Sequence, residues 1–156
     1  MTDRTQRHEC ATPTPPVAPE PAPEVADRAP SRTDPGSTSK PRLLLVEDDL
    51  RTQSALRKIF TKLGWEVHSA MTVAGGLALL RLFPPDGLIL DLMLPDGDGI
   101  DVLREVHSGQ LGTRVAVTTG VLDGDRLEAV RLLRPEAVVR KPVDLELLIR
   151  ALGPGR

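Results

Sequence analysis

The sequence predicts an α/β protein with a doubly wound, five-stranded parallel sheet, preceded by a disordered tail. Two observations carry this prediction. From Pro41 onward, short apolar runs alternate with helical segments, and several of these runs are apolar at every position. Such runs suit parallel strands that are covered on both faces. Alternating strands and helices favour right-handed crossovers, which place helices on both sides of the sheet.

Residues 1–40 differ from the remainder of the chain. They hold more than half of the 15 prolines, contain no aromatic residue and show neither a helical nor a strand period. Such a segment cannot bury enough apolar surface to offset its ordering entropy. We therefore predict a disordered, partly polyproline-like tail. Two interpretations remain open: a passive leader or mis-called start, and a docking segment for a proline-binding partner.

The composition excludes several functional classes. The 156 residues carry a formal net charge of -2, whereas nucleic-acid-binding domains are usually strongly basic. The sequence contains no run of 18 apolar residues, so we predict no membrane span. The single cysteine, Cys10, cannot form an internal disulfide, and the N-terminus lacks the apolar segment of a secretory signal. We therefore expect a cytoplasmic protein with no direct nucleic-acid or membrane partner.

The first half of the folded part contains two strands and two helices. The first strand is Leu43–Val46, and Trp65–Ala70 is the second. Thr72 can cap a second helix, which continues to about Leu82 and is stopped by Pro84–Pro85. The first helix follows the i, i+3, i+4, i+7 spacing, on Leu56, Ile59, Phe60 and Leu63, and ends near Gly64.

The second half repeats this alternation three times. The predicted strands are Gly87–Leu90, Arg114–Thr118 and Ala137–Arg140. The predicted helices run from Asp98 to about His107, from Asp123 to about Leu133, and over Asp144–Leu152. Pro135 stops the second of these helices.

Chemically active side chains fall where the predicted strands end. Because the carboxyl ends of parallel strands share one edge of a sheet, these side chains are expected to converge. Crowded carboxylates repel one another unless a cation lies among them, and oxygen ligands suit Mg²⁺. A lysine and a hydroxyl then complete a phosphoryl site, in which a carboxylate can be the nucleophile. The residues are Glu47, Asp48, Asp91, Thr119 and Lys141.

The segments LLLVEDD, LILDLMLPDGDG, VTTG and VRKP resemble, in order and spacing, the signatures of response-regulator receiver domains of two-component signalling. Each motif alone is weak, but the ordered set is specific. The resemblance covers about residues 41–153, leaving residues 1–40 and 154–156 as tails. It implies the (βα)5 receiver fold, similar to flavodoxin and the chemotaxis receiver, with strand order 2-1-3-4-5.

The resemblance implies a role for each acidic residue at the first and third strand ends. Asp91 resembles the phosphoacceptor. Asp48 resembles a direct Mg²⁺ ligand, and Glu47 would hold the metal's waters. The backbone carbonyl of Met93 would be a further ligand. Asp49 is not assigned to the metal, since it is either a solvated carboxylate or the cap of the first helix.

The resemblance also assigns the fourth and fifth strand ends. Lys141 would pair with a phosphoryl oxygen. Thr119 would be the switch hydroxyl, chosen over Thr118 because the family's hydroxyl precedes a small residue, here Gly120. In addition, Pro95 and Gly99 would shape the loop after the acceptor, and the bond from Lys141 to Pro142 is expected to be cis.

A calcium loop is the competing interpretation of Asp96, Asp98 and Asp101. However, Ile100 occupies the third alternating position, and His107 stands where the twelfth-position glutamate would be. We therefore predict a turn followed by a helix cap.

Three positions depart from the family pattern. Val138 replaces the aromatic residue that usually stands three residues before the lysine, so the usual ring movement cannot occur there. Met93 and Val121 are apolar and cannot orient an attacking water. We expect activation to be transmitted by the backbone after the fourth strand, and the phosphoryl group to be long-lived.

The expected function is a signalling receiver that catalyses only its own phosphorylation and dephosphorylation. A sensor histidine kinase or histidine phosphotransfer protein would supply the phosphoryl group, and a downstream protein effector would receive the signal. Because no DNA-binding domain is recognised in this chain, output is expected through protein contact, including a homodimer through the last strands and helices. The alternatives are a binding module that works without phosphorylation and an aspartyl-phosphate hydrolase, although Met93 occupies the hydrolase's second Asp position.

Overall fold

Strands and helices alternate along the part of the chain that the computed structural model describes, residues 39–120 and 124–153. The strands of the main sheet are β1 (Arg42–Val46), β2 (Glu66–Ala70), β3 (Gly87–Asp91), β4 (Arg114–Thr119) and β5 (Ala137–Arg140). The helices are α1 (Leu50–Lys62), α2 (Val73–Leu82), α3 (Ile100–Ser108), α4 (Gly124–Leu132) and α5 (Leu145–Leu152). The predicted tails lie outside the described residues apart from Ser39 and Lys40, and so does Val121.

The five strands form one parallel sheet in the order β2-β1-β3-β4-β5. The register pairs Val46 with Leu90, Asp91 with Thr118 and Thr119 with Arg140. The predicted fold class and strand order are therefore confirmed. The same register aligns the carboxyl ends of β1, β3, β4 and β5 along one edge.

Alternate side chains of the central strands enter two separate cores. Leu44, Val46, Leu88 and Leu90 pack on the side of α2, α3 and α4. Leu43, Leu45 and Ile89 pack with α1 and α5 on the opposite side. All of these side chains are fully buried. At about 1.5–3 kcal/mol for each buried Leu or Ile, this burial explains why β1 and β3 are apolar at every position.

Capping residues fix where the helices begin. Asp49 accepts a hydrogen bond from the Thr52 amide at the start of α1, which decides between the two interpretations of Asp49 in favour of the cap. Thr72 caps α2 as predicted, and Asp144 caps α5. Gly64 follows the end of α1 at φ 95°, a conformation that glycine adopts without a side-chain clash.

A short antiparallel hairpin follows β3, where a plain loop was expected. It pairs Met93–Leu94 with Gly97–Asp98, and α3 begins only at Ile100. Strands of two residues carry no measurable sequence period, so the pattern could not reveal them. The hairpin follows directly on β3, which ends at Asp91.

The bond between Lys141 and Pro142 is cis, as expected. Within residues 39–120 and 124–153, none of the helices combines the length and apolarity needed to cross a bilayer.

Candidate functional site

Three charged residues meet at the carboxyl edge of the sheet. Asp91 ends β3, Glu47 follows β1, and Lys141 follows β5. Lys141 Nζ lies 2.5 Å from Asp91 Oδ2 and 2.9 Å from Glu47 Oε1. Glu47 and Lys141 are 94 positions apart in sequence, so this contact depends on the parallel strand order rather than on local structure.

The carboxylates of this edge form an acidic cluster. Oxygens of Glu47, Asp48 and Asp91 lie within 4.8 Å of one another. Glu47 Oε2 is buried and accepts no hydrogen bond from the described residues. The charge of a single lysine ammonium does not neutralise three carboxylates. In addition, a buried acceptor without a hydrogen-bond donor destabilises the folded state. An all-oxygen set of this kind fits a hard divalent cation that is bound partly through waters.

The pKa shifts agree with a cluster that lacks positive charge. Burial raises the pKa of the Glu47 carboxyl, and the charge of Asp91 adds to this effect, while Lys141 opposes both. For the Lys141 ammonium, burial acts to lower the pKa. The hydrogen bonds and charges of Asp91 and Glu47 outweigh burial and raise it, so Lys141 remains positively charged.

Separate donors hold the two oxygens of Asp91. The backbone amide of Met93 donates to Oδ1 at 3.0 Å, and the Lys141 ammonium donates to Oδ2. Both oxygens of the Asp91 carboxylate are thus held in place. Asp91 itself is only 2% exposed. The Met93 side chain points outward and is 55% exposed at the rim of the site.

Gly99 allows the loop after Asp91 to return against β3. A Cβ at this position would lie 2.2 Å from the Asp91 carbonyl oxygen and 2.9 Å from Leu92 Cα. The Gly99 amide donates to the Leu92 carbonyl at 3.0 Å. Any side chain would push the loop away, which gives the expected role of Gly99 a steric cause.

Both threonines at the end of β4 are buried. Thr119 is 1% exposed, and its carbonyl accepts a hydrogen bond from the Lys141 amide at 2.8 Å. The Thr118 hydroxyl lies 3.4 Å from the Leu90 carbonyl oxygen within the sheet. The choice of Thr119 as the switch hydroxyl stays a prediction.

The acidic residues of the hairpin and α3 have structural partners. The Asp96 carboxylate accepts from two backbone amides at the start of α2, at 2.7 and 2.9 Å. Asp98 accepts from the Ile100 amide, and Asp101 pairs with Arg104 at 2.9 Å. The hydrogen bond from the Ala74 amide, followed by that from Val73, lowers the pKa of Asp96. The predicted turn is present at positions 95–96, but the N-cap of α3 is Gly99, which has no side-chain cap, and Asp96 instead caps α2.

Arg126 contacts the loop that follows β3, and nothing in the sequence pattern indicates this contact. From α4, its guanidinium lies 2.8 Å from Asp98 Oδ1, 3.1 Å from the Leu92 carbonyl oxygen and 3.2 Å from Met93 Sδ. The α4 sequence GDRLEAVRL shows no clear apolar face, so an arginine in it is indistinguishable from an ordinary solvated one.

Val138 pairs with Val117 between β5 and β4 and is half-buried against the core. This strand therefore offers no aromatic ring at that position. The second apolar flanking position, Val121, lies outside the described residues.

Comparisons with known proteins agree with this geometry. The family model "Response regulator receiver domain" matches residues 43–153. The acid tolerance regulatory protein ActR of Rhizobium meliloti is 33% identical over 112 residues, which cover 70% of this chain and 57% of ActR. The photosynthetic apparatus regulatory protein RegA of Cereibacter sphaeroides is 34% identical over 112 residues, 70% of this chain and 60% of RegA. The chain thus spans little more than half of these curated relatives.

A similar solved structure is the CheY-like response regulator receiver domain protein of Methanospirillum hungatei. It superposes with a TM-score of 0.68 at 27% identity, over 73% of this chain and 94% of that one. The matched family, the sequence relatives and the structural likeness all concern the same folded residues. The chain therefore belongs to the response regulator receiver domain family of two-component systems.

Proposed function

We propose that Asp91 accepts a phosphoryl group in a Mg²⁺-dependent reaction. The observation that carries this proposal is the Lys141 ammonium, 2.5 Å from the buried Asp91 carboxylate inside a cluster of three carboxylates. A nucleophilic carboxylate, a cation beside it and oxygen ligands for a metal together supply what phosphoryl transfer requires.

The transfer step begins with attack of an Asp91 carboxylate oxygen on the phosphorus of a phosphorylated histidine. The bond from phosphorus to the imidazole nitrogen breaks, and its electron pair stays with the nitrogen of the donor. The carboxylate attacks as the anion, so no proton leaves Asp91. The Lys141 ammonium then pairs with a phosphoryl oxygen, and the Thr119 hydroxyl donates to another.

The metal site in this proposal uses Asp48, Asp91 and the Met93 carbonyl as ligands. Glu47 holds the metal's waters, which gives its buried Oε2 hydrogen-bond donors. Mg²⁺, when bound, neutralises charge on the transferring group. The acidic cluster supports this assignment because its oxygens are close enough to share one cation.

The proposed donor is a sensor histidine kinase or a histidine phosphotransfer protein, and the proposed location is the cytoplasm. Output passes to a downstream protein effector, or through a homodimer formed by the last strands and helices. ActR and RegA are named as regulatory proteins, which supports a regulatory output. The chain's own catalysis is limited to gaining and losing its phosphoryl group.

Intact mass spectrometry of the full chain with acetyl phosphate and Mg²⁺ tests this proposal. Wild type is expected to gain one phosphoryl group, and chelation of Mg²⁺ to prevent the gain. Asp91→Asn is expected to gain none, whereas Asp101→Asn, a control at an exposed pair, behaves as wild type. An unmodified wild type would instead favour a module that binds its partner without phosphorylation, the alternative that Val138 supports.

A further inference from the structure

One peptide group connects Asp91 to helix α4. The N–H of the Leu92–Met93 peptide donates to Asp91 Oδ1 at 3.0 Å. The carbonyl of the same peptide accepts from Gly99 N at 3.0 Å and from Arg126 Nη2 at 3.1 Å. Because the peptide is planar and its N–H and C=O point in opposite directions, an atom that holds the oxygen also sets the direction of the N–H.

The Arg126 guanidinium is itself held in place. Asp98 Oδ1 accepts from Arg126 Nη2 at 2.8 Å and from the Ile100 amide at 3.0 Å, which ties the carboxylate to the start of α3. Arg126 Nη1 lies 3.2 Å from Met93 Sδ. The Arg126 side chain is only 24% exposed, so water competes weakly for these contacts. A planar guanidinium can serve several acceptors at once, which a lysine ammonium at the same position could not do with this geometry.

The charge of the guanidinium strengthens the hydrogen bond that Asp91 receives. A cationic donor at a carbonyl polarises the peptide, and the N–H of a polarised peptide is a better donor. Arg126, which belongs to α4, thus sets the direction of the Met93 amide and makes this amide a stronger hydrogen-bond donor to Asp91 Oδ1.

We propose that Arg126 is a positioning residue for phosphoryl acceptance. It acts through the Leu92–Met93 peptide on Asp91, and it couples the acceptor to α4. The inference rests on the proposed function, because it takes Asp91 as the acceptor.

Kinetics with acetyl phosphate and Mg²⁺ on the full chain test the proposal. Arg126→Gln is expected to slow phosphorylation of Asp91 about three- to tenfold, the effect of losing one ordinary hydrogen bond in the reacting geometry. Arg104→Gln is the matched control. It makes the same change of charge at an exposed pair within α3 and should leave the rate unchanged.

Nuclear magnetic resonance separates positioning from a general structural role. In Arg126→Gln, the Met93 amide proton should move upfield as its hydrogen bond weakens, while most other amides keep their shifts. Asp98→Asn removes the negative charge that holds the guanidinium but leaves Arg126 in the chain, and should move the same amide in the same direction. An unmoved Met93 amide in both variants would overturn the proposal.

Thermal unfolding shows whether each variant is folded, and Asp98→Asn carries the test if Arg126→Gln does not fold. Equal phosphorylation rates for wild type and the folded variants would overturn this inference alone. A wild type that accepts no phosphoryl group would overturn the proposed function and this inference with it.

Discussion

Lys141 is the only described cation that is hydrogen-bonded to Asp91, and it also serves Glu47. These two carboxylate side chains are 2% and 1% exposed, whereas the Lys141 side chain is 29% exposed. Water therefore reaches the lysine side chain more readily than it reaches either carboxylate. Removing it altogether leaves two buried charges without their shared partner.

Lys141→Met is expected to lower the free energy of unfolding by about 1–3 kcal/mol, the usual cost of stranding a buried polar partner. Urea denaturation in the presence of a chelator measures this change. Lys62→Met, an exposed lysine at the end of α1, is the control with the same change of charge. Equal losses in the two variants would mean that the pairing of Lys141 with the carboxylates contributes nothing to stability.

Met93 places an apolar side chain at the rim of the site, where it is 55% exposed and contacts Arg126. An asparagine there can orient a water for attack on the phosphoryl group. We expect Met93→Asn to speed loss of the phosphoryl group on the order of tenfold, well below the effect of a full general base. The decay of phosphorylated protein after removal of acetyl phosphate measures the rate, and an unchanged decay would contradict this explanation of a long lifetime.

Helix α2 begins with two side-chain caps. Thr72 accepts from the Gly75 amide at 3.0 Å, and Asp96, from the hairpin after β3, accepts from two further amides. A carboxylate at a helix N-terminus also interacts favourably with the helix dipole. The hairpin after β3 and α2 are therefore joined by a hydrogen-bonded contact whose strength depends on the charge of Asp96.

We expect the stabilising effect of the Asp96 contact to depend on pH. Because the pKa of Asp96 is lowered on folding, its stabilising effect is present above its ordinary pKa of 3.8 and disappears as the pH falls through the folded value. Asp96→Asn should lower the midpoint of thermal unfolding at about pH 7, and the difference should shrink toward about pH 2. A difference that is constant across this range would show that the charge is irrelevant. Asp101→Asn is the exposed control.

Asp91 and α4 are linked by backbone and by Arg126, not by an aromatic ring on β5. Val138 is stiff at χ1 and offers no ring to rotate. Beryllium fluoride with Mg²⁺, as a phosphoryl mimic, is therefore expected to change amide hydrogen exchange at Gly120 and at Gly124–Arg126. Asp91→Asn should abolish the response. Unchanged exchange in these residues of wild type would rule out transmission through this backbone.

At the scale of the whole molecule, the apolar runs were enough to predict the sheet and the edge at which Glu47, Asp91 and Lys141 meet. Leu43–Val46 and Gly87–Leu90 have no polar residue, a pattern that suits central strands covered on both faces. Once parallel strands are predicted, Glu47, Asp91 and Lys141 must share an edge, and the structure brings them into contact. These residues are far apart in sequence, but the strand order of the sheet brings them together.

Features that depend on side-chain geometry could not be predicted in this way. The Met93–Leu94 strand is too short to have a period, and Pro95 argues against a strand. Arg126 reaches Leu92 across 34 positions through a contact that depends on its rotamer and on the turn of the hairpin. Neither is encoded in spacing or composition, so the sequence alone predicted the meeting of Asp91 with Lys141 but not the contact of this loop with α4.

A metal in the acidic cluster would stabilise the whole molecule, because these ligands come together only when the sheet is formed. If Mg²⁺ binds only the folded state, the free energy of unfolding should rise by about 1.4 kcal/mol for each tenfold excess over the dissociation constant. Urea denaturation at increasing Mg²⁺ concentration measures this rise. Asp48→Asn should weaken it, since Asp48 is an exposed member of the cluster whose loss leaves the core intact. Asp101→Asn should respond as wild type does, and an equal Mg²⁺ response in Asp48→Asn would place the cation elsewhere.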